Sequence, residues 1–213
     1  MSLNNFRLTV SVPVFGRPKR TIRSIECIAN QNINGWQALI GGDGCPVLQD
    51  FILSGYFDDI VQECGKKGNI LSIINYDTNK GGYGYSITNA NILLARGEYF
   101  IFYSNDDMIL PNHFKNYLSE IEQTYYDFVY FNTRNDAQGM VREPKLEFGK
   151  IGHSELIIKS SFLKQMPKHT NQYGHDWYLI QDMIKNNAKY KKSDNKPTYI
   201  VKSVPNLPEF GID

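Results

Sequence analysis

Apolar, β-rich runs recur along this chain at intervals of about thirty residues, with helix-like stretches between them. They read LTVSVPV from Leu8 to Val14, WQALI from Trp36 to Ile40, NILSIINY from Asn69 to Tyr76, EYFIFY from Glu98 to Tyr103 and DFVYFN from Asp127 to Asn132. Between them Ile22, Ile25 and Ile28 recur at helical spacing, Pro46 to Leu53 suits a helix, and Ile87, Ala90, Leu93 and Leu94 predict a buried helical face. Pro111 stands where the first turn of a helix reaching about Tyr125 would begin. Strands and helices alternating at this interval form βαβ units, and such units build a mostly parallel sheet flanked by helices. The expected class is therefore α/β, with a Rossmann-like layer in the first part, 1–132.

Beyond Thr133 the sequence is polar and irregular to Gly152. It then recovers in Glu155 to Lys159, two helical stretches around Ser161–Gln165 and Asp176–Asn187, and a last strand over Thr198–Val201. A chain of 213 residues suits one domain with its own core. The segment Val204-Pro205-Asn206-Leu207-Pro208 reads as a linker, so the domain is expected to be one module of a longer protein.

Charge and cysteines exclude several classes. Twenty-three Lys and Arg against 22 Asp and Glu leave a formal charge of +1, so no basic field holds nucleic acid. Cys27, Cys45 and Cys64 are odd in number and irregular in spacing, which suits reduced thiols in a cytoplasmic compartment rather than a disulfide framework. No stretch approaches the ~20 apolar residues of a membrane span, and the first residues lack the apolar run of a signal peptide. No GxxxxGK[ST] loop occurs.

Open parallel sheets bind ligands at the carboxyl ends of their strands. Here those ends carry Pro13-Val14-Phe15-Gly16, Gly41-Gly42-Asp43-Gly44, Asn79-Lys80-Gly81-Gly82 and Ser104-Asn105-Asp106-Asp107. The glycine tract at 41–44 is expected to stop the second strand. Adjacent carboxylates such as Asp106 and Asp107 repel unless something neutralises them. A Mg²⁺ or Mn²⁺ ion shared with substrate phosphates would do so, and capping of the helix that follows is the plainer alternative.

Four motifs in order, SVPVFGRP at 11–18, IGGDG at 40–44, NKGG at 79–82 and ARGEYFIFYSNDD at 95–107, resemble the GT-A glycosyltransferases of the inverting family 2 type. The likeness covers roughly the first 130 residues. It implies a metal-dependent transfer of a hexose-type sugar from a UDP-sugar to a hydroxyl of a carbohydrate acceptor, with inversion. It implies a nucleotide-sugar part over 1–132 and an acceptor part over 133–213. By the same resemblance Asp43 accepts from the uracil ring N–H, Pro13 and Phe15 shape the base pocket beside Arg17, and Asn79 and Gly81 belong to the donor loop. Asp106 would bind the ion that bridges the phosphates, with Asp107 assisting.

Two departures stand out. Ser104 occupies the first position of the D-x-D motif, which weakens that contact or moves it to Asn105. The loop from Asn79 to Ala95 is long, and Thr88 stands where many relatives carry Arg. The family places its catalytic base at the start of a helix in the second part, a context matched by Gly174-His175-Asp176-Trp177, so Asp176 is the candidate. The alternative for Asp176 is stabilisation of a helix dipole. His153, His175 and Trp177 are candidates for the acceptor side, and Tyr83, Tyr85 and Tyr173 for stacking on sugars. The compact size and the Asn-, Lys- and Tyr-rich composition are similar to those of glycosyltransferase modules encoded by large algal viruses. Other readings are an inactive carbohydrate- or nucleotide-binding module, which Ser104 favours, and a sugar nucleotidyltransferase, which would want a basic glycine-rich loop after the first strand.

Overall fold

The computed structural model of the protein describes residues 6–79, 81, 84–123, 125–135, 138–168 and 174–201. Lys80, Gly82, Tyr83, Tyr173 and the expected linker at 204–208 lie outside them.

Strand β1 (Phe6–Val14) pairs in parallel with β2 (Trp36–Asp43) on one side and β4 (Gly97–Phe102) on the other, while β2 pairs in parallel with β3 (Ile70–Tyr76). Helix α1 (Pro18–Ala29) crosses from β1 to β2, α2 (Pro46–Leu53) and α3 (Asp58–Lys66) from β2 to β3, and α4 (Tyr85–Leu94) from β3 to β4. The expected βαβ units are thus present. Helix α3, for which the sequence carried no expectation, packs Ile60, Val61 and Cys64 on the first core cluster.

The second part completes the sheet. Strand β9 (Leu156–Lys159) lies antiparallel between β4 and β6 (Phe128–Tyr130), and β10 (Tyr190–Lys192) closes the far edge in the order β10-β6-β9-β4-β1-β2-β3. A smaller sheet joins β5 (Met108–Ile109), β11 (Tyr199–Ile200), β7 (Thr133–Asn135) and β8 (Met140–Arg142). Helices α5 (His113–Ile121), α6 (Ser160–Leu163) and α7 (His175–Lys185) complete the described elements. The large sheet crosses the expected boundary at 132, because β9 supplies the hydrogen bonds that both β4 and β6 need.

Side-chain alternation divides the core between the two faces of the sheet. Along β4, Tyr99 and Ile101 face the cluster built on Val10, Ile25 and Phe114, whereas Phe100 and Phe102 face the one built on Leu156, Ile180 and Met183. Trp177 packs against the second of these clusters.

Two expectations need correction. Strand β2 does not stop at Gly41; it runs on paired with β1 and β3 through Gly42, and with β3 to Asp43. A side chain at Gly41 would collide with Ile87, and one at Gly42 with Asn75 and Leu48, so glycine here serves close packing rather than a turn. On α4 the buried face is Ile87, Thr88, Asn91 and Ile92, while Leu93 is 68% and Leu94 47% exposed. Polar Asn91 occupies the core face because its amide donates to Ser11 Oγ at 2.9 Å and to the Leu39 carbonyl at 3.1 Å. No helix among the described residues is long and apolar enough to cross a membrane.

Candidate functional site

A cavity of about 630 Å³ opens at the carboxyl ends of β1, β2 and β4. It is lined by Pro13, Phe15 and Arg17 after β1, Asp43 at the end of β2, Asn79 and Gly81 after β3, and Ser104 and Asn105 after β4. His153, His175 and Asp176 from the second part line it too. Of the described residues singled out in the sequence, Tyr85, Asp106, Asp107 and Trp177 are not in this lining. Val14, part of the first strand-end tract, lines it as well, and Gly84, Thr88, Phe102, Tyr103 and Ser154 join it without having been expected there. Only Thr88 carried a signal, as a departure from the family pattern.

Glycines and one cysteine hold the strand-end loops against one another. Gly44 has φ +60°, and a Cβ there would strike the backbone of Asn79. Gly84, at φ +82°, sits against the Pro13 ring at the start of α4. Cys45 is buried at the N-cap of α2, where its Sγ accepts from Gly16 N at 3.2 Å and from Leu48 N at 3.5 Å. Its sulfur therefore ties the first loop to the second.

The turn after β4 is fastened from several directions. Arg23 donates to the Asp106 carbonyl at 3.0 Å, Ser24 to the Asn105 carbonyl at 3.2 Å, and Tyr103 to the Asp107 carbonyl at 3.1 Å. Tyr199 accepts from Ser104 N at 3.1 Å and donates to Asp107 Oδ2 at 2.8 Å. Burial holds the Tyr199 phenol well above its ordinary pKa, so it remains a donor. Asp107 is buried with Tyr199 and fits an anchoring bond rather than a metal site. Asp106 faces Arg17 in an ion pair and Arg20 at 3.3 Å. Its Oδ1 is buried, yet it accepts no well-directed hydrogen bond from the described residues. That oxygen is the one both guanidiniums face, so it would be open to a hard cation only with those arginines turned away. Of the two carboxylates at the turn, Asp106 is therefore the one that would hold an ion, since Asp107 is engaged by Tyr199.

On the second-part wall Asp176 sits in the first turn of α7, behind Gly174 at φ +79°. A side chain at Gly174 would collide with Phe148. Asp176 Oδ1 lies 2.7 Å from His175 Nε2 and 3.0 Å from His153 Nδ1. His175 Nδ1 meets the Tyr85 hydroxyl, and His153 stacks on Phe102 at 4.3 Å. If both rings are neutral, each gives one N–H to Asp176, and His175 accepts from Tyr85. Burial pushes His153 down to about 4, which keeps it neutral near pH 7. Burial alone would raise Asp176, but the N–H groups that His153 and His175 turn toward it prevail and hold it below the ordinary carboxylate value. Donor atoms of His153, His175 and Asp176 all lie within 4.8 Å of one another, a nitrogen-and-oxygen set of metal-binding type. The turn His153–Glu155 is anchored by buried Glu155, whose Oε2 accepts from Gly152 N at 2.6 Å and whose Oε1 lies 3.2 Å from both Thr133 and Arg142.

The chain is 26% identical over 144 residues to an uncharacterized glycosyltransferase of Rickettsia bellii, covering 66% of this chain and 19% of that protein. It is 25% identical over 134 residues to the putative colanic acid biosynthesis glycosyl transferase WcaA of Escherichia coli, covering 61% of this chain and 43% of that one. The chain thus spans less than half the length of either relative. Among solved structures it is similar to residues 1–349 of S. aureus TarS in complex with UDP-GlcNAc, with a TM-score of 0.70, 16% identity, and coverage of 92% of this chain and 58% of that one. It is similar to the mannosyltransferase PcManGT of Pyrobaculum calidifontis in complex with GDP-Man and Mn²⁺, with a TM-score of 0.70, 14% identity, and coverage of 95% and 58%. Identities this low establish the shared fold alone. The family description "Glycosyl transferase family 2" matches residues 9–196, most of the chain, including both walls of the cavity. The chain belongs to glycosyl transferase family 2 and has the GT-A fold.

Proposed function

We propose that the protein transfers a hexose-type sugar from a UDP-sugar to a hydroxyl of a carbohydrate acceptor, with inversion and with a divalent cation, Mn²⁺ or Mg²⁺. The observation that carries this reading is the meeting of Asp43 and Asp176, from opposite ends of the chain, in one strand-end cavity. Asp43 is buried at a rigid strand end and suits recognition of a ring N–H. Phe15 is 56% exposed at the rim, where an aromatic face can cover a base. TarS with UDP-GlcNAc and PcManGT with GDP-Man and Mn²⁺ add support for a nucleoside-diphosphate sugar, and Asp43 inclines the choice toward uracil.

In the reaction so read, the acceptor oxygen attacks the anomeric carbon as its proton passes to the Asp176 carboxylate. The bond from that carbon to the diphosphate breaks, and the bonding electrons leave with the diphosphate. Direct displacement of this kind inverts the anomeric centre. His153 and His175 orient the carboxylate, and its lowered pKa keeps it ionised while making it a weak base, so its position beside the acceptor oxygen carries the role. A cation at Asp106, when bound, would supply Lewis-acid neutralisation of the charge on the leaving diphosphate.

Calorimetric titration with UDP, GDP and CMP, with and without Mn²⁺, tests the reading. UDP should bind best, and Asp43→Ala should weaken it by ~10-fold or more, as loss of a buried polar recognition contact does. Asp176→Asn should leave UDP affinity near the wild-type value and lower transfer by ~10²–10⁴-fold. If no nucleotide binds, the transferase reading fails. UDP binding without turnover of any UDP-sugar would favour the binding-module alternative that Ser104 raises.

A further inference from the structure

His153, His175 and Asp176 come from two segments of the second part and meet on one wall of the cavity. Successive residues of a helix point ~100° apart, yet His175 and Asp176, neighbours in the first turn of α7, converge here with His153. One donor atom from each of the three lies within 4.8 Å of the other two, and all three residues are half-buried rather than sealed in the core. Each ring is oriented by a group other than Asp176. His153 stacks on Phe102 at 4.3 Å, and His175 meets the hydroxyl of buried Tyr85 through Nδ1. Tyr85 can accept as well as donate, so with its proton on Nδ1 the His175 ring presents the Nε2 lone pair to the cavity wall without moving. An oxygen partner on the far nitrogen is the arrangement that orients a metal-ligating histidine.

We infer that His153, His175 and Asp176 form a binding site for a transition cation of the zinc class, separate from the Asp106 carboxylate, and that filling it silences transfer by occupying Asp176. The silencing rests on the reading of Asp176 as the base; the site itself does not. Two imidazole nitrogens and one carboxylate suit Zn²⁺, Cu²⁺ or Ni²⁺, whereas Mn²⁺ and Mg²⁺ favour oxygen donors. Asp176 Oδ1 stands 2.7 Å and 3.0 Å from the two nitrogens, near the ~3.3 Å that separates ligand atoms around a tetrahedral zinc. Three protein ligands on the wall of an open cavity leave the fourth position to water. His153, His175 and Tyr85 make further contacts besides these, and the site requires only the nitrogens already turned to Asp176. The amino end of α7 carries a partial positive charge, which the full negative charge of the Asp176 carboxylate outweighs. A carboxylate oxygen bonded to the ion no longer takes a proton from an acceptor hydroxyl.

Titration of the chain with Co²⁺, a coloured substitute for Zn²⁺, tests the site by visible absorption and without reference to turnover. One equivalent should produce the intense bands of a four- or five-coordinate ion. Zn²⁺ should displace it stoichiometrically, and Mn²⁺ should do so ~10²-fold less effectively. His153→Gln and His175→Gln should each weaken Zn²⁺ by ~10-fold or more, and Tyr85→Phe, which leaves all three ligands in place, by ~10-fold. Asp106→Asn should leave Zn²⁺ affinity unchanged, and circular dichroism would confirm that each variant folds. With a UDP-sugar that is turned over in Mn²⁺, one equivalent of Zn²⁺ should abolish transfer and a zinc-selective chelator should restore it. Only the weak absorption of a six-coordinate ion, or Zn²⁺ affinity unchanged in both histidine variants, overturns the site. Loss of Zn²⁺ binding in Asp106→Asn overturns it too, and moves the ion to the turn after β4. Zn²⁺ held by the three residues with transfer unimpaired overturns the silencing, and the assignment of Asp176 as base falls with it. Absence of nucleotide binding with Zn²⁺ still bound overturns the silencing together with the transferase reading, and leaves the site standing.

Discussion

His113 lies in the core between Tyr117 and Tyr199, with Nδ1 2.9 Å from the Thr198 hydroxyl, and burial pushes its pKa down to about 3. An unfolded chain titrates this ring near 6.5, so between that value and about 3 the unfolded state binds a proton that the folded state does not. Stability therefore rises with pH across that window and is fully present above it. The slope from one such group is ~1.4 kcal/mol per pH unit well inside the window. His153, depressed to about 4, adds a slope of the same sign. Denaturant midpoints at pH 7, 6 and 5 should fall steadily, and His113→Gln should flatten the trend even if it lowers stability at pH 7. A slope unchanged in that variant would show that His113 is not the neutral core group described. Nothing in the sequence distinguished His113 from a surface histidine, because the feature that matters is the set of rings around it, and those arrive from α5 and β11.

At the scale of elements, apolar runs located β1, β2 and β4, which are buried on both faces, and helical spacing located α1, which buries one. The errors came where a residue type has two uses. Glycine at 41 and 42 looked like a strand terminator, yet in β2 it admits Ile87 of α4 and Asn75 of β3 at close range. Gly41→Ala should accordingly lower stability by ~1–3 kcal/mol through overpacking, read as a drop in melting temperature. Ile87→Ala in the same chain should restore part of the loss, since the two positions are in contact. Full additivity of the two changes would mean that the close approach is not what Gly41 serves. On α4, leucines at 93 and 94 looked buried and asparagine at 91 did not. The hydrogen bonds from Asn91 to β1 and β2 reversed that ranking.

The whole molecule depends on β9. This strand comes from the second part of the chain, yet it lies between β4 and β6 and pairs with both. A fragment ending at residue 132 would leave the inner edge of β4 and both edges of β6 without hydrogen-bond partners, and it would lack Leu156, Ile158, Ile180 and Met183 from the second core cluster. Such a fragment should show no cooperative thermal transition by circular dichroism, whereas the full chain should show a single one. A sharp transition in the fragment would mean that the first layer is stable alone. The dependence reaches the candidate site as well. Asp43, Ser104 and the loops after β1 and β3 were legible in the sequence, because strand-end chemistry follows from local pattern and order. The alternation of strands and helices likewise determined, from sequence alone, an α/β fold with its ligands at one rim. Tertiary structure alone decided that Asp107 is an anchor for Tyr199, that Asp106 faces two arginines, and that Asp176 is held by two histidines against Phe102 and Tyr85. Periodicity reports only which face a residue occupies within its own element, whereas the charge and hydrogen-bond partners of these carboxylates come from segments distant in the chain.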